Sequence, residues 1–176
     1  MGCGKSSVGR ELSRLLCCPF MDLDSVIENR AGRSVPEIFT ADGEARFRQM
    51  ELETLQDLVC RMPICNENDI RIVALGGGTV MTEGCAEIVR EQTRCVYLKA
   101  GVETLISHLE GATECRPMLS GGEYALRSRI EKLMAVRSDT YEKTAHITID
   151  TDGKSIEEIT QEILEIIPVL HGHGGL

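Results

Sequence analysis

Gly2-Cys3-Gly4-Lys5-Ser6-Ser7 is the stretch on which the reading of this chain turns. It matches the closing half of the pattern G-x-x-x-x-G-K-[ST], the P-loop. There, glycines let backbone N–H groups point inward at a polyphosphate, the lysine adds a mobile positive charge, and the hydroxyl holds Mg²⁺. The first glycine of the full pattern would stand upstream of Met1. The bland alternative is a glycine-rich tail that happens to precede a helix, since short Gly-Lys-Ser strings arise by chance. The next residues argue against a tail. Val8, Leu12, Leu15 and Leu16 recur at helical spacing, with no glycine or proline between Arg10 and Cys18. A helix therefore starts at the loop and aims its N-terminus at the anion. Pro19-Phe20-Met21 then reads as a strand leading into Asp22-Leu23-Asp24, the helix-to-strand order of an α/β phosphotransferase.

Further out, the chain alternates short apolar runs with helical patterns. Ile70–Leu75, Cys95–Leu98 and His146–Ile149 are strand candidates separated by helical stretches, which predicts parallel pairing and a three-layer α/β/α sandwich. Ser34 with Glu37 and Ser155 with Glu158 have the spacing of capping boxes at helix starts. The last helix carries Ile156, Ile159, Ile163, Ile166 and Ile167, a stripe that reads as core packing. Residues 168–176, with His171 and His173, read as a frayed tail rather than a metal site.

At 176 residues and 42% hydrophobic composition the chain suits one domain spanning 1–176 with a real core. The net charge of −9 and the lack of a basic cluster disfavour DNA or RNA as a partner, so an anionic substrate would need local arginines. The 8 cysteines lack C-x-x-C pairs and two of them, Cys17 and Cys18, are adjacent, which points to reduced thiols rather than a disulfide framework. No apolar stretch is long enough to span a bilayer, and the N-terminus carries chemistry where a signal peptide would carry a hydrophobic segment. A cytoplasmic monomer is the expectation.

Several residues stand where they could do chemistry. Asp22 and Asp24 follow a strand, and alternation would put both side chains on one side of an extended segment, one helping to order Mg²⁺ and the other taking a proton from a hydroxyl. The competing reading makes Asp24 a helix N-cap and Asp22 a solvated neighbour. In Asp42–Arg48 a turn leads into a helix, where Arg48 is either half of an i,i+4 ion pair with Glu44 or a fork for a carboxylate ligand. Gly76-Gly77-Gly78 directly follows a strand candidate, suggesting close approach of backbone to a ligand, with a flexible turn as the alternative. Arg116-Pro117-Met118-Leu119, within a loop-like stretch of about 111–123, looks like a lid whose arginine meets a transferring phosphoryl group on closure, or else an ordinary surface loop. Arg127, Arg129, Lys132 and Arg137 lie on a long helical stretch from about Glu123 to Tyr141, most of them on a solvated face.

In order and spacing, the phosphate-loop residues, Asp22-x-Asp24, Gly43-Glu44 with Phe47-Arg48, Gly76-Gly77-Gly78, Arg116-Pro117-Met118-Leu119 and Arg137 with Tyr141 resemble the shikimate kinase family over nearly the whole chain. The resemblance implies a fold like that of nucleoside-monophosphate kinases. It also implies ATP- and Mg²⁺-dependent phosphorylation of the shikimate 3-hydroxyl, in the route to chorismate and aromatic amino acids. On that pattern Gly2, Cys3, Gly4, Lys5, Ser6 and Ser7 hold the phosphates, with Ser6 on Mg²⁺ and Asp22 in the metal's outer shell. Asp24 binds substrate hydroxyls and acts as base, Arg48 and Arg137 clamp the carboxylate, and the backbone at Gly76, Gly77 and Gly78 approaches shikimate. Lys5 and Arg116 meet the transferred phosphate. Two features depart from the family. Ser107-His108 stands where an arginine pair packs on adenine, leaving His108 and Lys154 as the candidate adenine contacts. The apolar strand that precedes the phosphate loop in relatives, in the middle of the sheet, has no counterpart after Met1, so the sheet's two halves are expected to lack their join. Two other readings of the same residues remain: another small-molecule kinase of the gluconate kinase type, or a nucleotide-binding module with impaired turnover.

Overall fold

Period-two alternation on four short strands decides the layering. The structure of the chain, a computed structural model, describes residues 3–61, 70–110 and 122–171. Its elements run α1 (Lys5–Leu16), β1 (Phe20–Asp22), α2 (Leu23–Ala31), α3 (Val35–Gln56), β2 (Ile72–Ala74), α4 (Cys85–Gln92), β3 (Val96–Lys99), α5 (Val102–Glu110), α6 (Gly122–Thr144), β4 (Ile147–Asp150) and α7 (Ile156–His171). β1 pairs in parallel with β2, Phe20 opposite Ile72 and Asp22 opposite Ala74. β3 pairs in parallel with β4, Val96 opposite Ile147 and Lys99 opposite Asp150. Among the described residues no strand joins these two pairs, so the parallel sheet is present as two halves.

Alternate side chains leave the strands toward opposite helical layers. Phe20 and Ile72 face α1, where Gly9 lets the helix approach so closely that an added Cβ would lie 2.5 Å from the Phe20 ring. Val96, Ile147 and Ile149 join Val8 and Leu12 of α1 and Ile159 and Ile163 of α7 in one core. Met21 and Val73 point the other way, into a core built by Leu23 and Ile27 of α2, Ile38, Phe47 and Leu55 of α3, and Val89 of α4. On that same side Tyr97 packs on Tyr141 of α6, ring centroids 5.2 Å apart. The result is the expected α/β/α sandwich, with a third small core where Leu105, Ile106 and Leu109 of α5 meet Leu126 and Ile130 of α6. Leu23, Ile27, Ile38, Leu126, Ile130, Ile149 and Ile163 are all 0–1% exposed. Burying each such side chain contributes about 1.5–3 kcal/mol, which makes these contacts, rather than the very short strands, the main source of stability.

Both predicted capping boxes form. The Glu37 carboxylate accepts from Ser34 N at 2.7 Å, and Glu158 accepts from Ser155 N at 2.7 Å while its own N–H donates to Ser155 Oγ at 3.2 Å. The predicted turn at Asp42-Gly43 is instead a kink inside one long helix, α3, where Gly43 adopts φ 80°, ψ 170°. Only glycine holds that conformation without strain, so the helix bends there and continues toward Arg48. α7 runs to His171, into the stretch read from sequence as a tail, and α6 begins at Gly122, inside the stretch read as a lid. Gly2, the lid residues 111–121 with Arg116, and the tail from 172 lie outside the described residues.

Candidate active site

The phosphate end is built at the start of α1. Gly4, at φ 76° and ψ 12°, is the N-cap and no side chain caps the helix. The amides of Lys5, Ser6 and Ser7 therefore open the helix as donors for an anion, with the positive end of the helix dipole behind them. Lys5 Nζ lies 3.7 Å from Cys3 Sγ at the mouth of the loop. Ser6 Oγ donates to Asp22 Oδ2 at 2.9 Å, so the loop hydroxyl and the end of β1 form one oxygen pair. Among the described residues no group of three or more His, Cys, Asp or Glu is arranged to hold a metal. An oxygen pair beside a phosphate loop fits Mg²⁺, which is held largely by substrate phosphates and water rather than by a protein cage.

The helix cap falls on Asp22 rather than on Asp24, and Asp24 is half-buried. Asp22 is the N-cap of α2, its carboxylate accepting from Ser25 N at 3.4 Å, and Asp24 sits in the first turn of the helix. Because the helix starts at Leu23, strand alternation does not govern Asp24, and the shared side predicted for an extended segment is not the reason the two are near each other. Asp24 reaches the glycine triplet instead. A Cβ at Gly76 would lie 2.9 Å from Asp24 Oδ1 and 3.1 Å from Thr79 Oγ1. Burial pushes the Asp24 carboxyl above its ordinary value; the charges of Asp22 and Glu51 add to the rise and Lys5 opposes it. Asp24 is thus a carboxylate of raised proton affinity close to the lysine of the phosphate loop.

The other wall of the site is made by arginines. Arg48 Nη1 donates to Glu51 Oε2 at 2.9 Å, and its Nε and Nη2 donate to Glu44 Oε1 at 3.3 and 3.0 Å. Glu51, 1% exposed, also accepts from Thr79 Oγ1 and Thr82 Oγ1, each at 2.7 Å, and so ties α3 to the 3₁₀ turn Thr79–Met81 after the glycines. A Cβ at Gly78 would lie 2.7 Å from Arg48 Nη1. From α6, Arg137 Nη1 donates to Gly77 O at 3.1 Å and the Tyr141 hydroxyl donates to the same carbonyl. An open cleft of about 690 Å³ lies on the arginine side, between α3, the turn after the glycines and α6, lined by Glu44, Arg48, Gly78, Met81 and Arg137 among others. The glycine triplet is neither left-handed nor a loose turn: the side chains of Asp24 and Arg48 pack on it, and Arg137 and Tyr141 hold its central carbonyl.

Sequence reasoning missed Glu51, Thr79 and Thr82. The spacing of Glu51 after Arg48 was available as a signal, but on a helix an i,i+3 pair is ordinarily a surface ion pair, and nothing local marks this one as buried. Of the basic residues beside Phe47 only Arg48 enters the site, since Arg46 lies 4.0 Å from Glu53. Arg129 and Lys132 are exposed, whereas Arg127 forms an ion pair with Glu103 that ties α6 to α5. At the remaining end, Asp152 accepts from Gly101 N at 2.9 Å, anchoring the loop after β4 to the start of α5. Lys154, two residues past that anchor, has its Nζ 2.6 Å from Glu162, and His108 is exposed on α5, about 10 Å along the helix from Gly101.

Residues 1–168 match the family described as "Shikimate kinase". Shikimate kinase of Dictyoglomus turgidum is 37% identical over 167 residues, which cover 94% of this chain and 91% of that relative. The enzyme of Thermus thermophilus is 40% identical over 165 residues, 94% of this chain and 84% of that relative. Among solved structures, shikimate kinase from Acinetobacter baumannii in complex with shikimate superposes with TM-score 0.82 at 31% identity, covering 99% of this chain and 91% of that one. The enzyme from Bacteroides thetaiotaomicron superposes with TM-score 0.83 at 29% identity, covering 96% and 94%. With a phosphate loop at one end of its site and two arginines at the other, the chain belongs to the shikimate kinase family, phosphotransferases that act on an alcohol group with ATP as co-substrate.

Proposed function

We propose that this chain transfers the γ-phosphoryl group of ATP to the 3-hydroxyl of shikimate, giving shikimate 3-phosphate and ADP on the route to chorismate. The observation that carries the reading is the convergence of Asp24, Arg48 and Arg137 on the Gly76–Gly78 backbone. A hydroxy acid lying along that backbone would meet two guanidiniums at its carboxylate and a base at its hydroxyls.

The amides of residues 2–7 and Lys5 hold and neutralise the phosphates, a task in which positioning and electrostatics supply nearly all the catalysis. Ser6 and Asp22 are the residues that would hold Mg²⁺, which when bound neutralises charge on the phosphate oxygens. Asp24 accepts the proton of the 3-hydroxyl as its oxygen attacks; its raised proton affinity suits it to that role better than an ordinary exposed carboxylate. Arg48 and Arg137 orient the substrate by its carboxylate, and Arg116, on a lid ahead of α6, meets the transferred phosphate. His108 and Lys154 flank the adenine. Residues 1–176 then form one kinase domain that acts as a cytoplasmic monomer. Among the described residues no helix is long and apolar enough to cross a membrane.

The test is ADP formation by the purified chain with Mg²⁺ and ATP, with shikimate or gluconate as acceptor. Shikimate-dependent ADP release with stoichiometric shikimate 3-phosphate supports the reading. Release with gluconate instead makes the chain a sugar-acid kinase, and nucleotide binding without turnover makes it a binding module.

A further inference from the structure

Arg48 is held on two edges by two carboxylates in opposite settings. Nη1 meets Glu51, which is 1% exposed and fixed by two threonine hydroxyls. Nε and Nη2 meet a single oxygen of Glu44, whose side chain is 67% exposed. A guanidinium presents its five N–H donors in a rigid fork, and the Nε/Nη2 edge is one of the edges on which a carboxylate docks with two parallel hydrogen bonds. With Nη1 committed to Glu51, that edge is where an incoming carboxylate gains two donors at once, and Glu44 is sitting on it.

We infer that Glu44 is a resident counter-ion on the substrate arginine, occupying the Nε/Nη2 edge of Arg48 until the carboxylate of the substrate displaces it. The inference rests on the proposed role of Arg48 as the carboxylate ligand. Three observations support the exchange. Glu44 lines the same cleft as Arg48 and Arg137, so the displaced and displacing carboxylates compete in one space. An exposed i,i+4 ion pair contributes little, so releasing Glu44 costs far less than releasing Glu51. Glu44 also directly follows Gly43, where α3 breaks its helical geometry, and an added Cβ at Gly43 would meet nothing within 4 Å. Glu51 is therefore the fixed half of the Arg48 setting and Glu44 the exchangeable half. Between substrate encounters Glu44 keeps the guanidinium oriented. On encounter it is a competitor that lowers apparent affinity and repels the second negative charge.

The experiment measures steady-state KM for shikimate and for ATP, with equilibrium shikimate binding, in Glu44→Gln and Glu44→Ala, each alone and combined with Arg48→Lys. The expected result is a KM and Kd for shikimate about two- to five-fold lower in the Glu44 variants, with KM for ATP unchanged. In the Arg48→Lys background the same substitutions lose that gain, because the contested edge is gone. A shikimate KM that is unchanged or raised in both Glu44 variants with Arg48 intact overturns the inference and makes Glu44 a positioning residue or a bystander. Arg48→Lys leaving shikimate KM at the wild-type value is a different failure, and it removes the carboxylate role of Arg48 itself.

Discussion

Arg48 Nη1 and Glu51 Oε2 are 2.9 Å apart, joining a partly exposed guanidinium to a carboxylate that is 1% exposed. The pair orients the arginine from beneath, and the hydroxyls of Thr79 and Thr82 complete the set of donors to Glu51. Glu51→Ala removes the common anchor of three partners, Arg48, Thr79 and Thr82. The expected outcome is a loss of about 1–3 kcal/mol in unfolding free energy, from unpaired buried hydroxyls and a loosened arginine. Shikimate KM rises and ATP KM does not. Chemical denaturation and steady-state kinetics check both, and a variant of wild-type stability would show that Glu51 is dispensable to the wall.

Arg48→Lys and Arg137→Lys are expected to weaken shikimate binding far more than ATP binding, since one ammonium cannot reproduce a planar fork on a carboxylate. Loss of each charge-assisted contact is worth about 1.5–3 kcal/mol, or roughly ten- to a hundred-fold in KM. Calorimetric titration with each ligand separately reads the difference. Equal losses for both ligands would remove the arginines from the carboxylate site.

Gly78 has φ −106° and ψ −9°, a conformation any residue adopts, so its glycine is required by space alone. A Cβ there would lie 2.7 Å from Arg48 Nη1 and 3.0 Å from Nη2. Gly78→Ala is therefore expected to push the guanidinium off its axis, raising shikimate KM while leaving the thermal midpoint close to wild type. A large fall in the midpoint with unchanged KM would place the constraint in the backbone instead.

Burial raises the Asp24 carboxyl, and Asp22 and Glu51 add to the rise. A base must be ionised to accept a proton, so kcat/KM for shikimate is expected to fall with decreasing pH through that raised value, giving an acid limb above the ordinary carboxylate range near about 4. Stability runs the other way. The folded state holds this proton more tightly than the unfolded chain, so ionisation costs stability as pH rises from the unfolded value to the folded one. Asp24→Asn removes that cost. Its thermal midpoint at neutral pH should equal or exceed wild type, while turnover drops by about 10²–10⁴ and ATP binding persists. A destabilised variant with near wild-type turnover would make Asp24 a structural group.

Cys85 is fully buried, and that burial, with Glu51 nearby, pushes its thiol up to about 12, while burial pushes Cys95 up to about 11. Both remain protonated and unreactive at neutral pH. Mass spectrometry after brief iodoacetamide treatment of the folded protein should find Cys17 and Cys60, which are exposed, alkylated ahead of them. Early labelling of Cys85 would mean that the α2–α4 core opens locally.

Local chemistry was enough to read the α1 helix from its loop, all four strands, both capping boxes and the glycine triplet, because each is written in residues adjacent along the chain. Apolar periodicity and the Gly4-Lys5-Ser6 string state their own geometry. The sequence therefore determined the layer order, the phosphate end of the site and the presence of arginines suited to an acid. It did not determine what those arginines face. Whether Glu51 is a surface partner or a buried anchor depends on the 3₁₀ turn about thirty residues away that closes over it, and whether Asp22 or Asp24 caps α2 depends on where β1 stops. Gly77 acquires its two donors only because α6 brings Arg137 and Tyr141 across the sheet. Such partners are set by packing between distant segments, where the free energy of excluding water from a whole core overrides any local preference. Only the tertiary structure decided them.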